Sequence, residues 1–212
     1  AKAYTGNGSS SHAITFDNTD TSMQPDLIWI KNRSHAEDNV IFDSVRGGTK
    51  RLYTNGTHAE GTDNAINSFD SNGFNLNTYS SVNYNTYTYV AWCWKAGTSV
   101  SGTTTGGTGK AYSGSVNTDS GVSIITYLGN ENSAHAVPHH LGVAPEITFI
   151  KERTTADIWV VQSSHLGLGN YGTLHTNNAF GSTGGNFITS VNSTAVTMNE
   201  NTVNNEDGNA FM

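Results

Sequence analysis

The sequence is short of several things that would narrow its function. It has one cysteine, Cys93, so no intrachain disulfide can form. Charged residues make up 13% of the 212, about half the usual share. Only ten are Lys or Arg, they form no cluster, and the formal net charge is −7. That balance excludes the basic footprint by which proteins hold nucleic acid. No stretch of a dozen residues repeats with the 3.6-residue period of an amphipathic helix. No apolar run is long enough to cross a membrane and no signal-peptide pattern is present, so membrane insertion is not expected.

What fills the space is Asn, Thr, Ser and Gly. These residues favour turns and solvated strand faces over helices. Among them lie short apolar runs. Pro25-Asp26-Leu27-Ile28-Trp29-Ile30-Lys31-Asn32-Arg33 is the clearest, and Pro145-Glu146-Ile147-Thr148-Phe149-Ile150-Lys151-Glu152-Arg153 has the same layout. A proline at the head of a strand costs no ladder hydrogen bond, and branched and aromatic residues suit a buried pleat. Each run is expected to be a central strand. Other segments correspond as well: Tyr4-Thr5-Gly6-Asn7 with Tyr127-Leu128-Gly129-Asn130, His12-Ala13-Ile14 with His135-Ala136-Val137, and Val40–Ser44 with Trp159–Ser163. A long spacing of this kind predicts two related domains rather than a solenoid.

The expected architecture is therefore all-β: two tandem β-sandwich domains of lectin or jelly-roll type, related by an internal repeat. Residues 1–97 form the first. Residues 98–120, rich in Gly, Ser and Thr, are expected to be a flexible linker. Residues 121–212 form the second, which lacks the counterpart of the strand Thr88–Trp94. Only Lys2-Ala3 precede Tyr4, and the chain stops at Asn209-Ala210-Phe211-Met212. Both ends are expected to fall within strands, completed by a neighbour or by more of a longer chain.

Four stretches carry a resemblance: Tyr4-Thr5-Gly6-Asn7-Gly8, Pro25–Arg33, Phe42-Asp43-Ser44-Val45-Arg46-Gly47 and Tyr89-Val90-Ala91-Trp92-Cys93-Trp94-Lys95-Ala96-Gly97. In this order they resemble a family of repeated β-domains in virion structural proteins of tailed phages, especially marine and cyanobacterial ones, described as tail-fibre-like or uncharacterised. The second half departs from it, with Gln162-Ser163-Ser164-His165-Leu166-Gly167 in place of Phe42–Gly47. The resemblance implies a virion or extracellular location, assembly with copies of itself and with other virion proteins, and no catalytic residue.

The candidate chemistry is sparse. His135, His139 and His140 are close in sequence, but neighbours on a strand point to opposite faces, so one metal cannot readily take both His139 and His140. Asp17-Asn18-Thr19-Asp20 and Asp70-Ser71-Asn72-Gly73 are oxygen-rich enough for a structural calcium, though Asp and Asn also build turns unaided. No other cofactor is expected. Asp38 and Asp43 are the carboxylates a glycan-degrading enzyme would need, but nothing sets an acid against a base, and the protein is not expected to be an enzyme. Cys93 lies in an apolar run and reads as a small buried hydrophobe. Trp29, Trp92, Trp94 and Trp159 lie on expected strands and read as core. Asn7, Asn32, Asn55 and Asn192 each begin an Asn-x-Ser/Thr triplet, which chance explains in a chain of this composition. Tyr79, Tyr84 and Tyr87 stand among Asn, Ser and Thr, the setting in which an aromatic face stacks on a sugar while amides bind its hydroxyls. They are the candidate ligand-binding residues, and host-surface glycan is the candidate ligand. The competing readings are a secreted self-assembling filament or adhesin subunit, completed by strand exchange, and a glycan-degrading enzyme.

Overall fold

The computed structural model describes residues 1–17, 22–181 and 187–212. Contacts divide the chain into two compact units: residues 1–54 with 60–97, and residues 98–212 with 55–59. Both are all-β, built of antiparallel sheets with no helix longer than one turn among the described residues.

Unit 1 contains β1 (Lys2–Thr5), β2 (His12–Thr15), β3 (Leu27–Asn32), β4 (Val40–Asp43), β5 (Lys50–Tyr53), β6 (Gly61–Thr62), β7 (Ile66–Asp70), β8 (Gly73–Leu76), the one-turn α1 (Ser80–Asn83) and β9 (Thr88–Trp94). Six strands form a sheet in the order β1-β9-β3-β4-β5-β6, and β2-β8-β7 form a second. The core lies between them, sandwich-fashion. Ile28, Ile30, Val40, Phe42, Tyr89 and Ala91 come from the first sheet and Ile14, Ile66, Phe74 and Leu76 from the second. Alternation decides which side chains enter it, because successive residues of a strand face opposite ways. On β9 this sends Tyr89, Ala91 and Cys93 inward and leaves Trp92 and Trp94 outside, where Trp92 meets Trp29 edge-on at 6.1 Å. Of the four tryptophans expected in the core, only Trp159 is fully buried.

The strand heads are clamped. Asp26, buried after Pro25, accepts from Ser44 Oγ at 2.7 Å and from Ala96 N at 2.9 Å, tying three segments together. Asp43 accepts from the backbone of Arg46 at 2.8 Å and from its Nε at 2.5 Å, and Arg46 also reaches Glu60 at 3.0 Å. This buried ion pair closes the Phe42–Gly47 turn. Asp43 is thereby committed to Arg46.

Unit 2 contains β10 (Thr98–Thr103), β11 (Ala111–Asn117), β12 (Val122–Leu128), β13 (His135–Pro138), β14 (Ile147–Lys151), β15 (Trp159–Ser163), β16 (Gly172–Thr173), β17 (Ile188–Val191), β18 (Ala195–Met198), the one-turn α2 (Thr202–Asn205) and β19 (Ala210–Phe211). The sheets run β10-β11-β12-β19, β14-β15-β16 and β13-β18-β17. Tyr112, Tyr127, Val137, Ile150, Val160, Val196, Met198 and Phe211 fill the core.

Two expectations are corrected here. Residues 98–120 are not a linker: β10 and β11 form a six-residue antiparallel hairpin, and β11 continues onto β12. The glycines in this stretch serve packing rather than flexibility. A Cβ on Gly102 would lie 2.9 Å from the hydroxyl of Tyr112, and one on Gly114 would lie 2.3 Å from the carbonyl of Ile124. Their absence lets the buried Tyr112 and the neighbouring strand close in. Unit 2 also does not lack its closing strand. β19 supplies it, paired to β12 through Tyr127↔Phe211, while Met212 exchanges backbone bonds with Lys151 at 2.9 and 3.0 Å.

The same contacts occur in both units. Tyr4 stacks on Tyr89 at 5.2 Å, and Tyr127 on Phe211 at 5.3 Å. The Tyr4 hydroxyl donates to Val82 O, and that of Tyr127 to Asn204 O, both at 2.8 Å. His12 Nδ1 meets Asn83 Oδ1 at 2.8 Å, and His135 Nδ1 meets Asn205 Oδ1 at 2.5 Å. Each amide oxygen also accepts a turn N–H, from Asn7 and from Asn130. A buried Asn at the end of each one-turn helix thus gathers the turn after the first strand, the head of the second strand and the helix itself.

Candidate functional site

The loop that follows α1 carries the site. Residues 84–87 join the helix to β9 and are held mainly by backbone groups. Gly6 N donates to Tyr87 O at 2.8 Å, and Thr86 N donates to Gly6 O at 3.0 Å. This approach requires glycine, since a Cβ on Gly6 would lie 2.2 Å from the Tyr84 carbonyl. The Gly6-Asn7-Gly8 motif therefore makes room for the loop. From below, Tyr84 N donates to the Tyr89 hydroxyl at 2.9 Å, which donates to Ser80 O at 2.7 Å. Burial pushes the Tyr89 phenol up to about 12, so it remains a neutral donor at any physiological pH. Thr86 takes a left-handed φ of +71° and turns the chain between the two tyrosines.

The result is an aromatic stack. Tyr84 and Tyr87 lie 4.5 Å apart, tilted by 40°, and the ring of His35 lies flat on Tyr87 at 3.4 Å and 10°. Tyr84 is 53% exposed, and His35 is exposed as well. His35 is placed by Asn32, whose side-chain oxygen accepts from Ser34 N at 3.0 Å and His35 N at 2.9 Å. Ser34 Oγ in turn accepts from Thr88 N at 3.0 Å, fastening this turn to the start of β9. Asn85, Thr86 and Thr88 adjoin the tyrosines in the chain, Ser34 Oγ lies 3.1 Å from His35 Nδ1, and Glu37 accepts from Ser80 and Ser81 of α1 at 3.3 and 3.4 Å.

Of the three tyrosines singled out by sequence, the structure brings Tyr84 and Tyr87 together and puts Tyr79 elsewhere. Tyr79 packs against the core, accepts from Arg51 at 2.5 Å and meets the Tyr53 hydroxyl at 3.2 Å. Arg51 also pairs with Asp63 and lies over the Tyr53 ring at 4.1 Å. That cluster is occupied with its own partners. His35 was not among the sequence candidates. No local pattern points to it: it is the register of β3 on β9, Asn32↔Tyr89, that brings the turn after Asn32 beside the start of β9.

The other candidates resolve into structural roles. His135 is buried between Asn205 and Thr104, with its Nε2 2.8 Å from the Thr104 hydroxyl, and burial lowers its pKa. The ring nitrogens of His139 contact Asn192 O at 2.9 Å and Leu141 N at 3.2 Å, while His140 turns to the Tyr112 hydroxyl at 2.9 Å. Among the described residues no three His, Cys, Asp or Glu are grouped to hold a metal. Asn18-Thr19-Asp20, most of the first oxygen-rich loop, lie outside the described residues. In the second, Asn72 donates to Phe16 O at 3.2 Å and accepts from Phe16 N at 3.1 Å, tying the turn to the end of β2, and Asp70 accepts from Ser68 at 2.6 Å. The Asn-x-Ser/Thr triplets at Asn7, Asn32 and Asn192 have a physical reason: each side-chain oxygen accepts the N–H two residues on, closing an Asx turn. Cys93 packs against the core, where burial pushes its thiol up to about 12.

No curated protein matches the chain, and neither does any solved structure. Matched over residues 1–212, both units included, the chain belongs to the family described as Domain of unknown function (DUF7483).

Proposed function

We propose that this protein is a structural component of a tailed-phage appendage, a tail or surface fibre, which binds host-surface glycan through Tyr84, Tyr87 and His35 and assembles with copies of itself. The observation that carries the reading is the exposed aromatic stack, flanked in the chain by Asn85, Thr86 and Thr88 and touched by the Ser34 hydroxyl. A sugar ring offers an apolar face and equatorial hydroxyls, and this arrangement offers a partner to each. A fibre multiplies weak contacts by copy number, so a shallow site suffices. We further infer that the two units are copies of one module, on the strength of their matching tyrosine, histidine and asparagine contacts. The test is binding to immobilised host polysaccharide. Tyr84→Ala and Tyr87→Ala are each expected to lower affinity about tenfold, as loss of a stacking face should; unchanged affinity in both refutes the glycan reading. Antibody labelling of intact particles under the electron microscope tests location.

A secreted self-assembling filament is the second reading, and the edge of the first sheet favours it. Among the described residues β1 pairs with β9 alone, whereas its counterpart β12 has β11 on the other side. A strand from another copy, or from more of a longer chain, could occupy that edge. Purified protein that forms filaments without virion proteins would support this reading over the first.

A further inference from the structure

The loop of unit 2 that corresponds to the aromatic loop is Glu206-Asp207-Gly208-Asn209. It hangs from the same kind of backbone bond, Gly129 N donating to Asn209 O at 2.9 Å. A Cβ on Gly129 would lie 2.1 Å from Glu206 O, as one on Gly6 would crowd Tyr84 O. Its side chains are of another kind. Here the loop borders a cavity of about 600 Å³ whose lining includes Thr108, Lys110, Glu131, Glu200, Thr202 and Asp207, and no aromatic residue. The cavity is open to solvent and mainly polar, so any ligand would be held by hydrogen bonds and charge rather than by enclosure. Lys110 Nζ is held by Asp207 at 2.7 Å, so one ammonium faces three carboxylates and the lining has a net charge of −2.

Glu131 sharpens the comparison. Its N–H donates to Asn205 O at 2.8 Å, as Gly8 N donates to Asn83 O at 3.0 Å in unit 1. Both residues have a left-handed φ, +53° for Glu131 and +66° for Gly8. Glycine meets that backbone without strain, while glutamate meets it at a cost and sets a carboxylate on the cavity wall.

We propose that this cavity is a second ligand site, for a polyhydroxylated ring bearing a primary ammonium, such as a free amino sugar within a polysaccharide. Glu131 and Glu200 receive the ammonium, while Thr108, Thr202 and the Lys110–Asp207 pair bind hydroxyls. The proposal takes from the glycan reading only that the ligand is a sugar. It does not need the aromatic stack.

The experiment is calorimetric titration of the whole chain with glucosamine oligomers, free and N-acetylated, at low and high salt. The free-amine oligomer is expected to bind, with N-acetylation or high salt each weakening it tenfold or more. Glu131→Gly is expected to weaken it roughly tenfold, the loss of one charge-assisted contact, while the melting temperature stays level or rises as the strain is relieved. Asp119→Asn, a carboxylate in the β11–β12 turn, is the control for net charge and should change neither. Equal binding of the acetylated oligomer, or undiminished affinity in a folded Glu131→Gly variant, overturns the proposal. If neutral polysaccharide fails to bind while the free-amine oligomer binds as described, the aromatic reading falls and this one stands.

Discussion

Asn83 offers the sharpest test of how the fold is held. It is fully buried at the end of α1. Its oxygen accepts from Asn7 N at 3.0 Å and from His12 Nδ1 at 2.8 Å, and its nitrogen donates to Ser9 O at 2.9 Å. Replacing it with alanine deletes three hydrogen bonds and leaves three polar groups in a partly closed site. At about 1 kcal/mol net for each bond, and more wherever water cannot reach the orphaned partner, the loss should be roughly 3–4 kcal/mol. A typical domain is stable by only about 5–15 kcal/mol, so Asn83→Ala should be folded but visibly weakened. Urea unfolding followed by tryptophan fluorescence reports largely on unit 1, since Trp29, Trp92 and Trp94 belong to it and only Trp159 does not. Amide exchange at Asn7 and Ser9 should quicken by a similar factor. Asn205→Ala, which deletes bonds to Asn130, His135, Asn132 and Asn199, should cost at least as much. A loss under about 1 kcal/mol at either position would show that water replaces the amide without penalty and would refute the reasoning.

Gly6→Ala should cost several kcal/mol, roughly 2–4, because the new methyl meets the Tyr84 carbonyl, and under the proposed function it should also weaken glycan binding; Gly169→Ala, with nothing within 4 Å, should be near neutral in the same thermal scans. Lys151 is fully buried, donates to the Glu152 carbonyl at 2.7 Å, and burial pulls its pKa down to about 8. Between there and the ordinary lysine value near 10.4 the unfolded chain binds more protons, so stability should rise with pH across that window and be flat just below it. Lys151→Met should abolish the rise and stabilise the protein at pH 7 by roughly 1–3 kcal/mol; melting curves from pH 7 to 10.5 decide, and a flat wild-type profile refutes the argument. The Cys93 thiol, raised to about 12, should react with a disulfide reagent at pH 8 roughly a hundredfold or more slower in the native than in the urea-unfolded protein; comparable rates would refute its burial.

The strands were the most legible part of the chain. Proline followed by a branched and aromatic run predicts β3 and β14 as central strands; β3 lies between β9 and β4 as expected, whereas β14 is a strand at the edge of its sheet, with Ile147 and Phe149 exposed. The stretch 98–120 misled because Gly, Ser and Thr suit both a linker and a strand; what decides is that Gly102 and Gly114 are spaced to admit Tyr112 and the neighbouring strand, which composition does not reveal. The tryptophans of β9 misled for a related reason. Thr88–Trp94 carries large side chains on both faces, and periodicity alone does not say which face is covered. The candidate site was half legible. Tyr84 and Tyr87 are close in sequence, but His35 reaches them through strand pairing, and Tyr79 is drawn away by Arg51 and Tyr53.

The anchoring of residues 84–87 by main-chain groups, Gly6 N to Tyr87 O and Thr86 N to Gly6 O, has an evolutionary consequence, one not shared by residues 206–209, where the Asn209 side chain also bonds to Glu152 and Asp207 to Lys110. A segment gripped by its peptide units can exchange side chains without loosening its grip. Mutation can thus change the surface presented by residues 84–87 at little cost to folding, and sequence variation should be tolerated there before it is tolerated in the strands.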